Sequence, residues 1–154
     1  MRGRGERGIG RRAVLGAALL ALVPWRGASA GEALAPDVAE AVRAAVGSGV
    51  PVETGITLRV PDTAENGASV PVTVTVESAM RGTDRCVSVH LFATANPTPG
   101  VASVHFGSLA ARAEMSTRIR LAEGQRILAY AVMADGSVRH AAARVAVSTG
   151  GCLS

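Results

Sequence analysis

The chain of 154 residues is long enough for one domain with its own core, and 48% of it is apolar. Its formal charge of +4 belongs to the N-terminus: residues 1–30 carry six arginines and one acid, and without them 10 basic and 11 acidic residues leave a net of −1. No basic nucleic-acid footprint survives that subtraction, and no apolar run reaches the roughly twenty residues of a membrane span.

In chain order, the first segment reads as an export signal. Arg11-Arg12 precede the apolar run Ala13 to Val23, which stops at Pro24, and Ala28-Ser29-Ala30 has the small-x-small form of a cleavage site. Gly10-Arg11-Arg12-Ala13-Val14-Leu15 has the twin-arginine arrangement. Residues 1–30 are therefore expected to be a twin-arginine-type signal peptide, with a mature protein that begins near Gly31 and works in the periplasm, where disulfides are permitted.

Residues 31–50 are expected to be a helical segment. Pro36-Asp37 opens a run with Val38, Val42, Ala45 and Val46 on one face, and Gly47-Ser48-Gly49 ends it. From there the apolar period is two. Val70, Val72, Val74 and Val76 alternate with Pro71, Thr73, Thr75 and Glu77. Val87, Val89 and Leu91 alternate with Cys86, Ser88 and His90. Met115, Thr117, Ile119 and Leu121 alternate with Glu114, Ser116, Arg118 and Arg120. Further strands are expected at 55–60, 101–106, 126–134 and 138–147, separated by turn signals of which Asp135-Gly136 is the strongest for a hairpin. Short strands at this spacing predict an all-β fold, an immunoglobulin-like antiparallel β-sandwich over residues 51–148, with an N-terminal helix and a flexible C-terminal arm at 149–154. With so few aromatic residues, the core must be built of Val, Leu, Ile and Ala.

The arm ends Thr149-Gly150-Gly151-Cys152-Leu153-Ser154. Two glycines with wide backbone freedom place a thiol near the tip of a thin segment, a geometry that suits a cysteine loaded by one protein and presented to another. The competing reading is a structural Cys86–Cys152 disulfide in an exported binding or structural domain. Nothing in sequence equips Cys152 as a self-contained catalytic centre: no general base, metal cluster or nucleophile elbow accompanies it. His90, His105 and His140 lie on three different expected strands without metal-type spacing and read as structural or surface histidines. Arg118 and Arg120 read as solvated strand positions.

The chain resembles the SoxY family, the sulfur-carrier subunits of the periplasmic thiosulfate-oxidising system. The resemblance runs through Leu58-Arg59-Val60-Pro61-Asp62-Thr63-Ala64-Glu65-Asn66-Gly67 with Val70-Pro71-Val72-Thr73-Val74, then Leu91-Phe92-Ala93 with Asn96-Pro97, Ser116 to Leu121, Asp135-Gly136-Ser137 and Gly150-Gly151-Cys152. It implies a non-catalytic carrier with Cys152 as the covalent sulfur attachment point and Gly150 and Gly151 as the arm hinge. It implies no metal and no cofactor beyond the sulfur intermediates held on Cys152. The implied partners are a SoxZ-like subunit in a heterodimer, a haem-containing SoxXA-like protein that couples thiosulfate to the thiol, a SoxB-like manganese hydrolase that releases sulfate, and a SoxCD-like molybdenum dehydrogenase. Members of the family typically end Gly-Gly-Cys-Gly-Gly; here Leu153 and Ser154 follow the cysteine. Cys86 is a second departure, because a carrier needs one cysteine only.

Overall fold

Pro36 has its φ fixed near the helical value and lacks the N–H that a first turn would leave unpaired. It opens helix α1 (Pro36–Val46), with Asp37 in the first turn and Arg43 in the last, each sign matching the helix dipole. The chain leaves the helix at Gly47, at φ +76°, whose N–H returns to the Arg43 carbonyl. The computed structural model describes residues 33–148. The expected signal peptide (1–30) and the arm residues Gly150, Gly151 and Cys152 lie outside the described residues.

After α1 come β1 (Pro51–Val52), β2 (Ile56–Arg59), β3 (Thr63–Ala64), β4 (Val70–Val76), β5 (Cys86–Ala93), β6 (Gly100–His105), β7 (Ala113–Ile119), β8 (Gln125–Met133) and β9 (Val138–Val147). Every strand expected from the period-two pattern is present, with ends moved by at most two residues. The additions are β1 and β3. Each is two residues long, too short to show any period, and both run parallel to β9, so the sandwich is antiparallel except at these two contacts.

The strands form two sheets, β1-β9-β8-β5-β6 with β3 also on β9, and β2-β4-β7. Strand β4 alternates as its sequence dictates: Val70, Val72, Val74 and Val76 are buried, and Pro71 and Thr75 are exposed. Its valines meet Val89, Leu91, Ile127, Ala129 and Val145 of the larger sheet in a core nearly free of aromatic side chains. Phe92 and Tyr130 face the other way. With Leu128 and Val138 they form a second apolar cluster under Val38 and Val42 of α1. The larger sheet is thus covered on both faces at its centre, which is why β5 and β8 are buried almost continuously and not at alternate positions.

Cys86 departs from its expected placement. Strict alternation puts it on the face opposite Val89 and Leu91. The structure has a register shift between Cys86 and Ser88 against β8, a β-bulge at Val87. The extra residue turns Cys86 back onto the core face, where it is fully buried beside Met80 and Met133.

At the same end, the Arg139 guanidinium donates to the carbonyl oxygens of Gly55 and Glu77 and lies 3.4 Å from Asp84 Oδ1, tying the two sheets together. The Asp135-Gly136 hairpin closes here as expected: Gly136 has φ +83°, and Asp135 Oδ1 accepts from the N–H and hydroxyl of Ser137. Those bonds hold the Asp135 carboxyl below its ordinary pKa.

Candidate functional site: the root of the C-terminal arm

The last described residue, Ser148, is fixed by the segment that begins at Asp62. The Ala146 N–H donates to the Asp62 carbonyl at 2.8 Å. The Ser148 N–H and hydroxyl both donate to the Ala64 carbonyl, at 3.0 and 3.3 Å. Between these bonds Thr63 and Ala64 pair with Ala146 and Val147.

The turn that follows locks the segment down. Asn66 Oδ1 accepts the Ala68 N–H at 2.8 Å, an Asx turn. The Gly67 carbonyl accepts the Leu121 N–H at 2.7 Å. A Cβ on Gly67 would stand 2.4 Å from the Leu121 carbonyl oxygen and 3.3 Å from Val147 Cγ1, so only glycine fits between the β7–β8 loop and the end of β9.

Asn96 and Gln125 brace the same end of the sandwich. Asn96 donates to the Arg120 carbonyl at 2.8 Å and accepts from Ala122 N–H and Gln125 Nε2, both at 2.9 Å. Gln125 Oε1 accepts the Ala95 N–H at 2.7 Å. The sequence signals at this end are the Leu58-to-Gly67 stretch and Asn96-Pro97, both carried by the family resemblance. Periodicity alone does not find them, because they act through turns and carbonyls.

Cys86 lies at the other end. It is the cross-strand partner of Met133, next to the Asp135-Gly136 hairpin. Its S–H donates to the Ser88 carbonyl at 3.5 Å, and burial pushes the thiol up to about 11, against smaller lowering effects of the Ser88 backbone and of Arg139. The ten residues of β9 separate the two ends by about 30 Å. A chain of four residues from Ser148 reaches about 14 Å, and a disulfide adds at most about 7 Å between Cα atoms. That total falls short of Cys86, and the buried sulfur offers no surface to attack. The geometry therefore speaks against the Cys86–Cys152 bridge. Cys152 itself, with Gly150 and Gly151, is outside the described residues.

The histidines are closer together than their sequence spacing implies. His90 and His105 stack edge to face with ring centroids 5.7 Å apart on the outer face of β5 and β6. Both ring nitrogens of His90 are occupied, Nδ1 by Ser103 Oγ and Nε2 by Ser88 Oγ, each at 2.9 Å. Burial, and to a lesser degree His105, hold its pKa below the usual value. His140 packs against Tyr130 and lies 3.6 Å from Glu53 Oε1. Among the described residues no three His, Cys, Asp or Glu side chains gather as a metal site would require, and none of the described helices is long and apolar enough to cross a membrane. Arg118 and Arg120 are exposed, as expected.

The sequence signature of the family described as "Sulfur oxidation protein SoxY" matches residues 42–152. The chain belongs to the SoxY family. The structure of the sulfur carrier protein SoxY from Chlorobium limicola f thiosulfatophilum is similar to it, with 30% identity and a TM-score of 0.61 over 73% of this chain and 96% of that one. The fold alone is shared with a putative superoxide reductase from Thermotoga maritima, at 14% identity and a TM-score of 0.53 over 60% of this chain and 85% of that one. It is shared likewise with a single-substitution form of the superoxide reductase (neelaredoxin) from Ignicoccus hospitalis, at 15% identity and a TM-score of 0.52 over 73% and 92% of the two chains. No curated protein matches the chain. The all-β sandwich with an N-terminal helix expected from sequence is thus the SoxY fold.

Proposed function

We propose that this SoxY-family chain is a periplasmic covalent sulfur carrier and not an enzyme. Cys152 holds the sulfur intermediates, and Gly150 and Gly151 form the hinge that lets it travel. The observation that carries the reading is the extent of the family match, which runs to residue 152, the cysteine itself. The burial of Cys86 adds to it, because that thiol is removed from competition.

The chemistry asked of Cys152 is simple. In loading, its thiolate and thiosulfate join sulfur to sulfur as cysteine S-thiosulfonate, and two electrons pass to a haem-containing SoxXA-like partner. In hydrolysis, a SoxB-like partner adds water, sulfate and two protons leave, and a persulfide anion stays on Cys152. A SoxCD-like dehydrogenase takes six electrons from the persulfide while three waters supply oxygen and six protons leave, giving a cysteine S-sulfonate; a second hydrolysis releases sulfate and two protons and returns the thiolate of Cys152. The carrier contributes no base or metal and needs no cofactor of its own. Its tasks are to present the sulfur and to dock, as a heterodimer with a SoxZ-like subunit. The twin-arginine-type signal at residues 1–30 delivers it to the compartment where these partners work.

The test is thiosulfate-dependent electron flow in a reconstituted set of such partners. Cys152→Ser abolishes it, and Cys86→Ala retains it. Equal activity of Cys152→Ser and the parent protein contradicts the reading.

A further inference from the structure

The Asp62–Gly67 segment has no part in the sulfur chemistry, yet it makes every described hydrogen bond to the backbone N–H groups of Ala146 and Ser148. We infer that this segment is a root clamp, a positioning element that fixes Ser148 and so sets the length of chain between the sandwich and Cys152. The inference rests on the carrier reading and extends it.

Three features converge on this role. The Ala64 carbonyl receives both donors of Ser148, the N–H and the hydroxyl. Thr63 and Ala64 add a short parallel strand against Ala146 and Val147, at the very end of β9, where an unpaired strand would fray. Gly67 wedges between Leu121 and Val147 with no room for a Cβ, and this stops the clamp from sliding along the strand. Of the two residues of β3, Thr63 is exposed and Ala64 joins the sandwich core, so the clamp is anchored there through one small side chain.

The consequence is a fixed origin for the arm. With Ser148 held, the four-residue connection to Cys152 limits the sulfur's carrier residue to within about 14 Å of that point. A partner's channel must be matched to that reach. If Ser148 is released, the tethered cysteine explores a larger volume and its effective concentration at a docked partner's active site falls.

Ser148→Pro tests this. It removes the N–H and the hydroxyl together, and Val147 before it already has the extended backbone that a following proline requires. Three quantities are compared with the parent protein: the thermal midpoint, the rate of Cys152 alkylation by iodoacetamide, and kcat/KM for thiosulfate loading by a haem-containing SoxXA-like protein. The clamp predicts a midpoint and an alkylation rate close to the parent's, with loading reduced about fivefold. Deletion of Thr149 in the Ser148→Pro background shortens the freed arm and recovers at least half of the loss. Ser148→Thr, which keeps both donors, loads as the parent does. Unchanged loading by Ser148→Pro, or a loss that deletion of Thr149 does not recover, overturns the clamp.

Failure of the parent protein itself to load contradicts the carrier reading. The clamp is then judged by hydrogen exchange: protected amides at Ala146 and Ser148 uphold it, and exchange of both within the dead time overturns it.

Discussion

Cys86 and Met133 face each other across β5 and β8, at the hairpin end of the larger sheet, about 30 Å along β9 from the Ser148 that starts the arm. The two cysteines of this chain are therefore different chemical objects. One is a buried, protonated core residue. The other, Cys152, lies outside the described residues and is the proposed point of sulfur attachment.

That difference is measurable as thiol counts. In the folded, reduced protein at pH 8, one thiol is alkylated within minutes, at Cys152; in urea both react. Burial pushes the Cys86 thiol up to about 11, so it stays protonated well above the pH at which a free cysteine ionises. Mild oxidation gives a mixed disulfide or a disulfide-linked dimer through Cys152 and no internal loop. Cys86→Ala costs about 1 kcal/mol in urea unfolding, the size expected for deleting one buried small apolar group. Modification of two thiols in the native state contradicts this assignment.

Among the described glycines, Gly67 leaves the least room for an added methyl group. In Gly67→Ala the Cβ would meet the Leu121 carbonyl oxygen at 2.4 Å, a backbone atom that cannot rotate away. A loss of about 2–3 kcal/mol is expected, with increased proteolysis at the C-terminal end of β9. Wild-type stability in this variant would mean that the turn and the β7–β8 loop separate freely.

His90 makes stability depend on pH. Its folded pKa lies below the ordinary value of 6.5, chiefly through burial. The folded state therefore favours the neutral ring between Ser88 and Ser103, with exposed His105 facing it and Tyr130 as its cross-strand neighbour. The unfolded chain takes up the proton first as pH falls. The His90 contribution is present above pH 6.5 and is lost as pH falls through the lowered folded value. Urea unfolding at about pH 7.5, 6.5 and 5.5 reads the slope, and His90→Gln reduces it. An unchanged slope in that variant assigns the dependence to other groups.

Leu153 separates this arm from the glycine-ended arms typical of the family. It places an apolar side chain directly past the sulfur, where a narrow channel would meet it. Leu153→Gly is expected to speed loading or hydrolysis by a standard thiosulfate-oxidising set. Equal rates for the two forms would show that the side chain is no obstacle and that this ending has no bearing on cargo or partner.

Much of this molecule can be read from its sequence because most strands bury one face. The valines of β4 and the alternation of β7 leave little choice of register, and Pro36 and Gly47 bracket α1 by backbone chemistry alone. The misses share a cause. At β5 and β8 the helix covers the second face, so alternation fails as a guide to burial. At Val87 a bulge reverses the side on which Cys86 lies, and no sequence period announces a single inserted residue. The hydrogen bonds to Ala146 and Ser148 are accepted by main-chain carbonyls of Asp62 and Ala64, so in sequence they show only as part of the Leu58-to-Gly67 stretch of the family resemblance. Cys152, Gly150 and Gly151 stand in the sequence as a thiol behind two glycines, and they lie outside the described residues.

The carrier function requires that sulfur travel on Cys152. Intact mass spectrometry of the mature protein taken from its native compartment, before and after reductant and with adducts mapped to peptides, tests this most directly. A carrier shows a sulfur-containing adduct on Cys152 that reductant removes, with Cys86 unmodified. A Cys86–Cys152 bridge in essentially every molecule, with no adduct, would contradict it.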